Sequence, residues 1–135
     1  MKDIEIENIL KTIDTFVEGL RVMDYEMISE VFFEHAISCG TAKGEVKYVY
    51  RNHWKEMREK MIELGKELIS EKADYSIRSV NIVGNAASVI MDLTFGTKEK
   101  ITEKYVEFYH LLKVKNKWLI VNKIFPTNPE FRKIE

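Results

Sequence analysis

The chain has 135 residues, 45% of them hydrophobic and 32% charged, the length and composition of a single domain spanning residues 1–135. Its 21 Lys and Arg against 22 Asp and Glu leave a net charge of −1, which supplies no broad electrostatic reason to bind nucleic acid or an anionic membrane. The lone Cys39 excludes an internal disulfide, no apolar run approaches the ~20 residues of a membrane span, and the acidic start Asp3-Ile4-Glu5 lacks the parts of a secretory signal, so a reducing cytoplasm is the expected compartment.

Ile6, Ile9, Leu10, Ile13, Phe16, Val17 and Leu20 fall at the spacing that stacks side chains on one helical face. Asp24 is placed to cap a short second helix whose Ile28, Val31 and Phe32 turn inward, so the pair reads as a helical hairpin. The run His35-Ala36-Ile37-Ser38-Cys39-Gly40-Thr41, with its small and β-branched residues, predicts a strand ended by the glycines at 40 and 44. From Glu45 to Leu64 the stripe Val46, Val49, Tyr50, His53, Trp54, Met57, Met61 and Leu64 predicts a long third helix capped by Gly65.

The remainder predicts sheet: Tyr75 to Val83, a Gly84-Asn85 turn, Ala86 to Phe95, a looser turn, then 103 to 114 and Trp118 to Phe125 around Lys115-Asn116-Lys117. In 103 to 114 the more apolar row, Val106, Phe108, His110, Leu112 and Val114, is expected to be the covered one, opposite Glu103, Tyr105, Glu107, Tyr109 and Lys113. Asp92, opposite Val89, Met91, Leu93 and Phe95, is expected to point outward. Apolar residues on both faces of Trp118 to Phe125 suggest burial on both sides, against helices or a second subunit.

The opening Phe16-Val17-Glu18-Gly19-Leu20-Arg21-Val22-Met23-Asp24 with Val31-Phe32-Phe33-Glu34-His35-Ala36, and the closing hairpin Tyr105 to Val114 and Asn116 to Phe125, resemble the nuclear transport factor 2-like superfamily, in its SnoaL-like and putative lumazine-binding branches. The resemblance covers nearly the whole chain. It implies an α+β fold in which a strongly curved, mixed or antiparallel sheet wraps around a long helix as a cone, with an N-terminal helical hairpin and a mostly apolar pocket at the open end. Its motifs concern packing, so they speak to fold more than to activity.

The superfamily includes steroid isomerases and dehydratases as well as proteins that only bind, and the isomerase pattern carries over poorly. Its oxyanion tyrosine falls on Phe16, its base on Gly40 and its second donor on His110. His110 is therefore the candidate acid–base group, the one ionisable side chain in the row expected to face inward. Phe16, Trp54, Met91, Phe108 and Leu112 are the expected ligand-lining residues. His35, Cys39 and His53 invite a metal reading, but no Cys-x-x-Cys or His-x-x-x-His pair accompanies them, so neither metal nor cofactor is expected. The reading that follows is a homodimer, joined through the outer face of the sheet, that binds a small hydrophobic or aromatic molecule. A lyase or isomerase acting through His110, and a dimerisation module with a filled pocket, are the alternatives.

Overall fold

The computed structural model describes residues 4–50, 52–66, 70–125 and 132–133, apart from the side chains at 42, 49, 50, 52, 53, 132 and 133. Its elements are α1 (Ile4–Val22), α2 (Tyr25–Val31), β1 (Phe32–Ala42), β2 (Glu45–Tyr50), α3 (Asn52–Glu63), β3 (Lys72–Val83), β4 (Ala86–Gly96), β5 (Ile101–Val114), β6 (Lys117–Phe125) and the two-residue β7 (Arg132–Lys133). The main strands form one curved, unclosed sheet in the order β2-β1-β6-β5-β4-β3, with β7 on β5. Only β1 and β6 pair in parallel among these main strands. This is the α+β cone that the resemblance implied.

Local chemistry explains the helical hairpin. Met23 closes α1 in the left-handed region (φ 52°), and the Asp24 and Met23 amides donate back to the Gly19 and Leu20 carbonyls, the paired bonds of a Schellman ending. The Asp24 carboxylate then accepts from the amides of Glu26 and Met27 and starts α2, as its sequence position predicts.

The segment from Glu45 departs from expectation. Glu45–Tyr50 is a strand and the helix begins only at Asn52. Lys43 and Gly44 both take positive φ, 53° and 79°, the requirement of a tight turn matched to strand twist, and fold β2 antiparallel onto β1. The alternating Val46, Tyr48 pattern belongs to that hairpin, and both side chains are exposed. Gly40 does not end β1, which runs to Ala42. Gly65 does cap α3, with φ 74°. The helix inside the sheet is thus α1, of 19 residues, rather than α3, of 12.

Ile9, Ile13, Phe16 and Leu20 of α1 meet Val89, Met91 and Leu93 of β4, Tyr109 and Leu111 of β5, and Trp118 and Ile120 of β6 in one buried core. Phe16 lies at its centre, its ring 5.2 Å from Phe32, 6.0 Å from Trp54 and 5.8 Å from Tyr109, in tilted and edge-on contacts that suit aromatic quadrupoles.

The alternation expected in β5 is present, but on the opposite faces. Tyr109 and Leu111 are buried and Tyr105 packs on the core, whereas in the row expected inside Val106 is buried but Phe108, Leu112 and Val114 are exposed, at 38%, 40% and 44%. The more apolar row is the outer one. The inner row tolerates Glu107 and Lys113 because each has a charged partner. Asp92 points outward as expected, and Arg78 at 2.9 Å and Lys104 at 3.8 Å hold its carboxyl below the usual range.

Candidate functional site

A β-bulge builds the site. His110 pairs with Asn122 and Leu111 with Ile120, leaving Val121 as an extra residue in β6. Before it, Trp118 and Ile120 face the core, and after it Lys123 is the buried residue. A bulge re-aims the side chains that follow it, and here it carries an ammonium onto the concave face directly across from Tyr109.

Lys123 Nζ lies 3.0 Å from Glu107 Oε2, with both side chains 7% exposed. The Tyr109 hydroxyl donates to Glu107 Oε1 at 2.5 Å. Burial first, then the Glu107 charge and hydrogen bond, push the Tyr109 phenol well above its ordinary pKa, so it stays a donor. The ammonium also faces two rings, 5.9 Å from the centroid of Trp54 and 5.2 Å from that of Phe125. Phe125 can lie there because residue 40 is glycine, where an added Cβ would sit 2.3 Å from its ring.

This array borders a cavity of about 330 Å³ at the C-terminal end of α1, lined by Leu20, Trp54, Leu93, Phe95, Glu103, Tyr105, Glu107 and Lys123. That is the lower end of the size of small-molecule sites, which are characteristically apolar with a few convergent polar groups. Phe95 and Tyr105 meet edge-on at 5.9 Å, and the Tyr105 hydroxyl donates to Glu103. Burial first, then that bond and the two carboxylates, push the Tyr105 phenol up. The site can offer flat apolar walls, one donor cluster at Lys123 and acceptors at Glu103 and Glu107.

The expected site residues are not brought together. Phe16 and Met91 lie in the sealed core, and Trp54 alone of the set lines the cavity. His110, Phe108 and Leu112 are on the outer face. There His110 Nδ1 donates to Asn122 Oδ1 at 3.1 Å, and the imidazole borders a shallow groove of about 350 Å³ with Leu112, Val83 and Val121. Glu107, Lys123, Tyr105 and Glu103 were missed because the face assignment was reversed and the bulge carries no sequence signal.

A larger recess, about 880 Å³, opens between α2 and the end of α3 beside Asp24, Glu26, Arg58 and Lys66. Asp24 is occupied in capping and Arg58 donates to the Val22 carbonyl, so those polar groups are already engaged. Among the described residues no three His, Cys, Asp or Glu side chains are grouped to hold a metal, the His53 side chain lying outside that description. Among the described residues no helix is long and apolar enough to cross a membrane.

Residues 4–126 match the model of a family described as putative lumazine-binding. An NTF-2 like protein of unknown function from Silicibacter pomeroyi is 20% identical, with 95% of this chain and 96% of that chain covered and a TM-score of 0.74. An NTF2-like protein of unknown function from Shewanella baltica is 25% identical over 93% and 95% of the two chains, with a TM-score of 0.70. A protein of unknown function with a cystatin-like fold from Nostoc punctiforme reaches a TM-score of 0.67 at 13% identity, with 96% of each chain covered. No curated protein matches the chain.

Proposed function

This chain belongs to the putative lumazine-binding family of the nuclear transport factor 2-like superfamily, and from that premise we propose that it is a small-molecule-binding domain whose pocket is the open-end cavity. The observation that carries the reading is the buried Glu107–Lys123 pair on the wall of an otherwise aromatic and aliphatic cavity. A buried ion pair costs several kcal/mol of desolvation per ion and is often replaceable by apolar side chains without loss of stability. Its presence at an opening suits recognition better than folding.

The ligand is a small molecule that is flat and mostly apolar, sliding between Trp54 and the Phe95–Tyr105 pair, with its polar atoms toward Lys123. Lumazine, the molecule in the family's description, is the first probe. Isothermal titration of the full chain with lumazine should give saturable binding that Trp54→Ala abolishes while the protein still melts cooperatively. Absence of binding by lumazine and by other flat bicyclic heterocycles would refute the reading. A lyase or isomerase working through His110 gains no support from an imidazole on the outer face.

We propose further that the outer face joins two copies of the chain. Phe108, Leu112, Val114 and Val83 expose apolar surface there, more than scattered single side chains. Sedimentation equilibrium at micromolar concentration should give about twice the 15.9 kDa of one chain, and a monomer mass would exclude the dimer.

A further inference from the structure

Resting on the reading of the open-end cavity as a ligand site, we propose that Glu107 and Lys123 together recognise a ring-amide edge, an N–H beside a C=O on a neutral flat heterocycle. The ligand N–H donates to the Glu107 carboxylate and the ligand C=O accepts from the Lys123 ammonium. Both side chains line the cavity, and with Oε2 and Nζ 3.0 Å apart they present an acceptor and a donor side by side to the same space.

Among the described residues their hydrogen-bonding capacity is only partly used. A carboxylate has about four acceptor positions and an ammonium has three N–H donors. Glu107 accepts from Tyr109 and is ion-paired with Lys123, and among the described residues Lys123 has Glu107 as its ion-pair partner. The Tyr109 hydroxyl, behind Glu107 and fully buried, fixes the carboxylate without competing for the cavity.

Charge then selects among ligands. Lys123 and Glu107 cancel, and Glu103 adds a carboxylate to the lining, where it accepts from the Tyr105 hydroxyl. A carboxylate- or phosphate-bearing ligand would approach a net negative lining, and a simple cation would meet the Lys123 ammonium at the end of its path. A neutral molecule carrying adjacent donor and acceptor satisfies both groups while its ring stacks against Trp54 or Tyr105. Leaving a buried polar group unpaired is what makes such sites selective.

Lumazine carries two ring N–H groups beside carbonyls, and 1,3-dimethyllumazine has the same bicycle with neither N–H. Titration of each into the wild-type chain should show the dimethyl compound weaker by roughly tenfold or more, the cost of an unpaired buried acceptor. Glu107→Gln combined with Lys123→Met keeps an acceptor for Tyr109 and leaves no orphan charge, and its thermal melt reports whether it folds. Folded, it should bind the two compounds within about twofold of one another. Equal binding of both compounds by the wild type would overturn amide recognition while leaving the cavity a ligand site. Binding of neither would overturn the cavity reading and this inference with it.

Discussion

The two ends of the β5–β6 ribbon use the same chemistry for different purposes. At one end the cross-strand neighbours Lys113 and Trp118 clasp the Glu5 carboxylate, with Lys113 Nζ at 2.6 Å and Trp118 Nε1 at 2.9 Å. At the other the cross-strand neighbours Tyr109 and Lys123 clasp Glu107 at 2.5 and 3.0 Å. Each carboxylate takes one ammonium and one aromatic donor. Glu5, however, comes from the first turn of α1 and ties that helix to the sheet in a partly exposed setting. All three members of the Glu107 clasp belong to strands already paired to one another, and they are buried beside a cavity. The first clasp joins two elements, whereas the second joins nothing that strand pairing does not already hold, which is why its desolvation cost points to a ligand.

The comparison depends on β5 turning its odd-numbered residues inward, and Leu111 lies between the two clasps on that face. Leu111→Lys should cost on the order of 5 kcal/mol, enough to unfold a domain of ordinary stability, because the charge has no partner there. Leu112→Lys, one residue on and exposed on the single chain, should cost far less, no more than the loss of the proposed contact between copies. The reverse ranking in thermal melts would return the apolar row to the interior.

Next in size is Lys123→Met, which strands the Glu107 charge in the core and should cost about 3–5 kcal/mol. Adding Glu107→Gln should recover most of that loss in urea denaturation, and if it recovers none, the pair serves stability. Smaller again is Gly40→Ala. Its methyl group would meet both the Phe125 ring and the Phe125 carbonyl, at 2.3 and 2.4 Å, displacing Phe125 from over Lys123 at an overpacking cost of at least about 1–3 kcal/mol, visible as a lowered urea midpoint.

The smallest effect belongs to Glu5. Hydrogen bonds from Lys113 first and Trp118 second lower its carboxyl pKa, so its contribution is complete above the ordinary carboxyl pKa and disappears as the pH falls through the lowered folded value. The urea midpoint of Glu5→Gln should lie slightly below that of the wild type at pH 7, and the two should converge once the pH has fallen below the lowered folded value. A gap that persists in acid would mean the ion pair is not what Glu5 contributes.

Periodicity and turn chemistry made the helical hairpin, the Asp24 cap, the Gly65 cap and the strands from Tyr75 onward legible in the sequence, since each rests on local spacing. Which row of β5 faces inward is not local. Hydrophobicity favours Phe108 and Leu112, and only the tertiary pairing of Glu107 with Lys123 and of Lys113 with Glu5 explains why the other row is buried. Lys123 illustrates the same limit more sharply. Strict alternation from Trp118 and Ile120 places Asn122 inside and Lys123 outside, and the bulge at Val121 reverses that without any glycine or proline to announce it. Glu45–Tyr50 reads as part of a helical stripe because Val46 and Tyr50, four apart, satisfy both periods while Val49 adds only to the helical one. The positive φ of Lys43 and Gly44 decides for a hairpin.

The protein has two tryptophans, one at each end of the comparison. Trp54 borders the cavity and Trp118 belongs to the Glu5 clasp. Titrating lumazine into isotope-labelled protein and following the two indole N–H signals by NMR tests the central claim directly. The account predicts that the Trp54 signal moves to saturation while that of Trp118 stays in place. Movement of the Trp118 signal alone, or of neither at millimolar ligand, would contradict it.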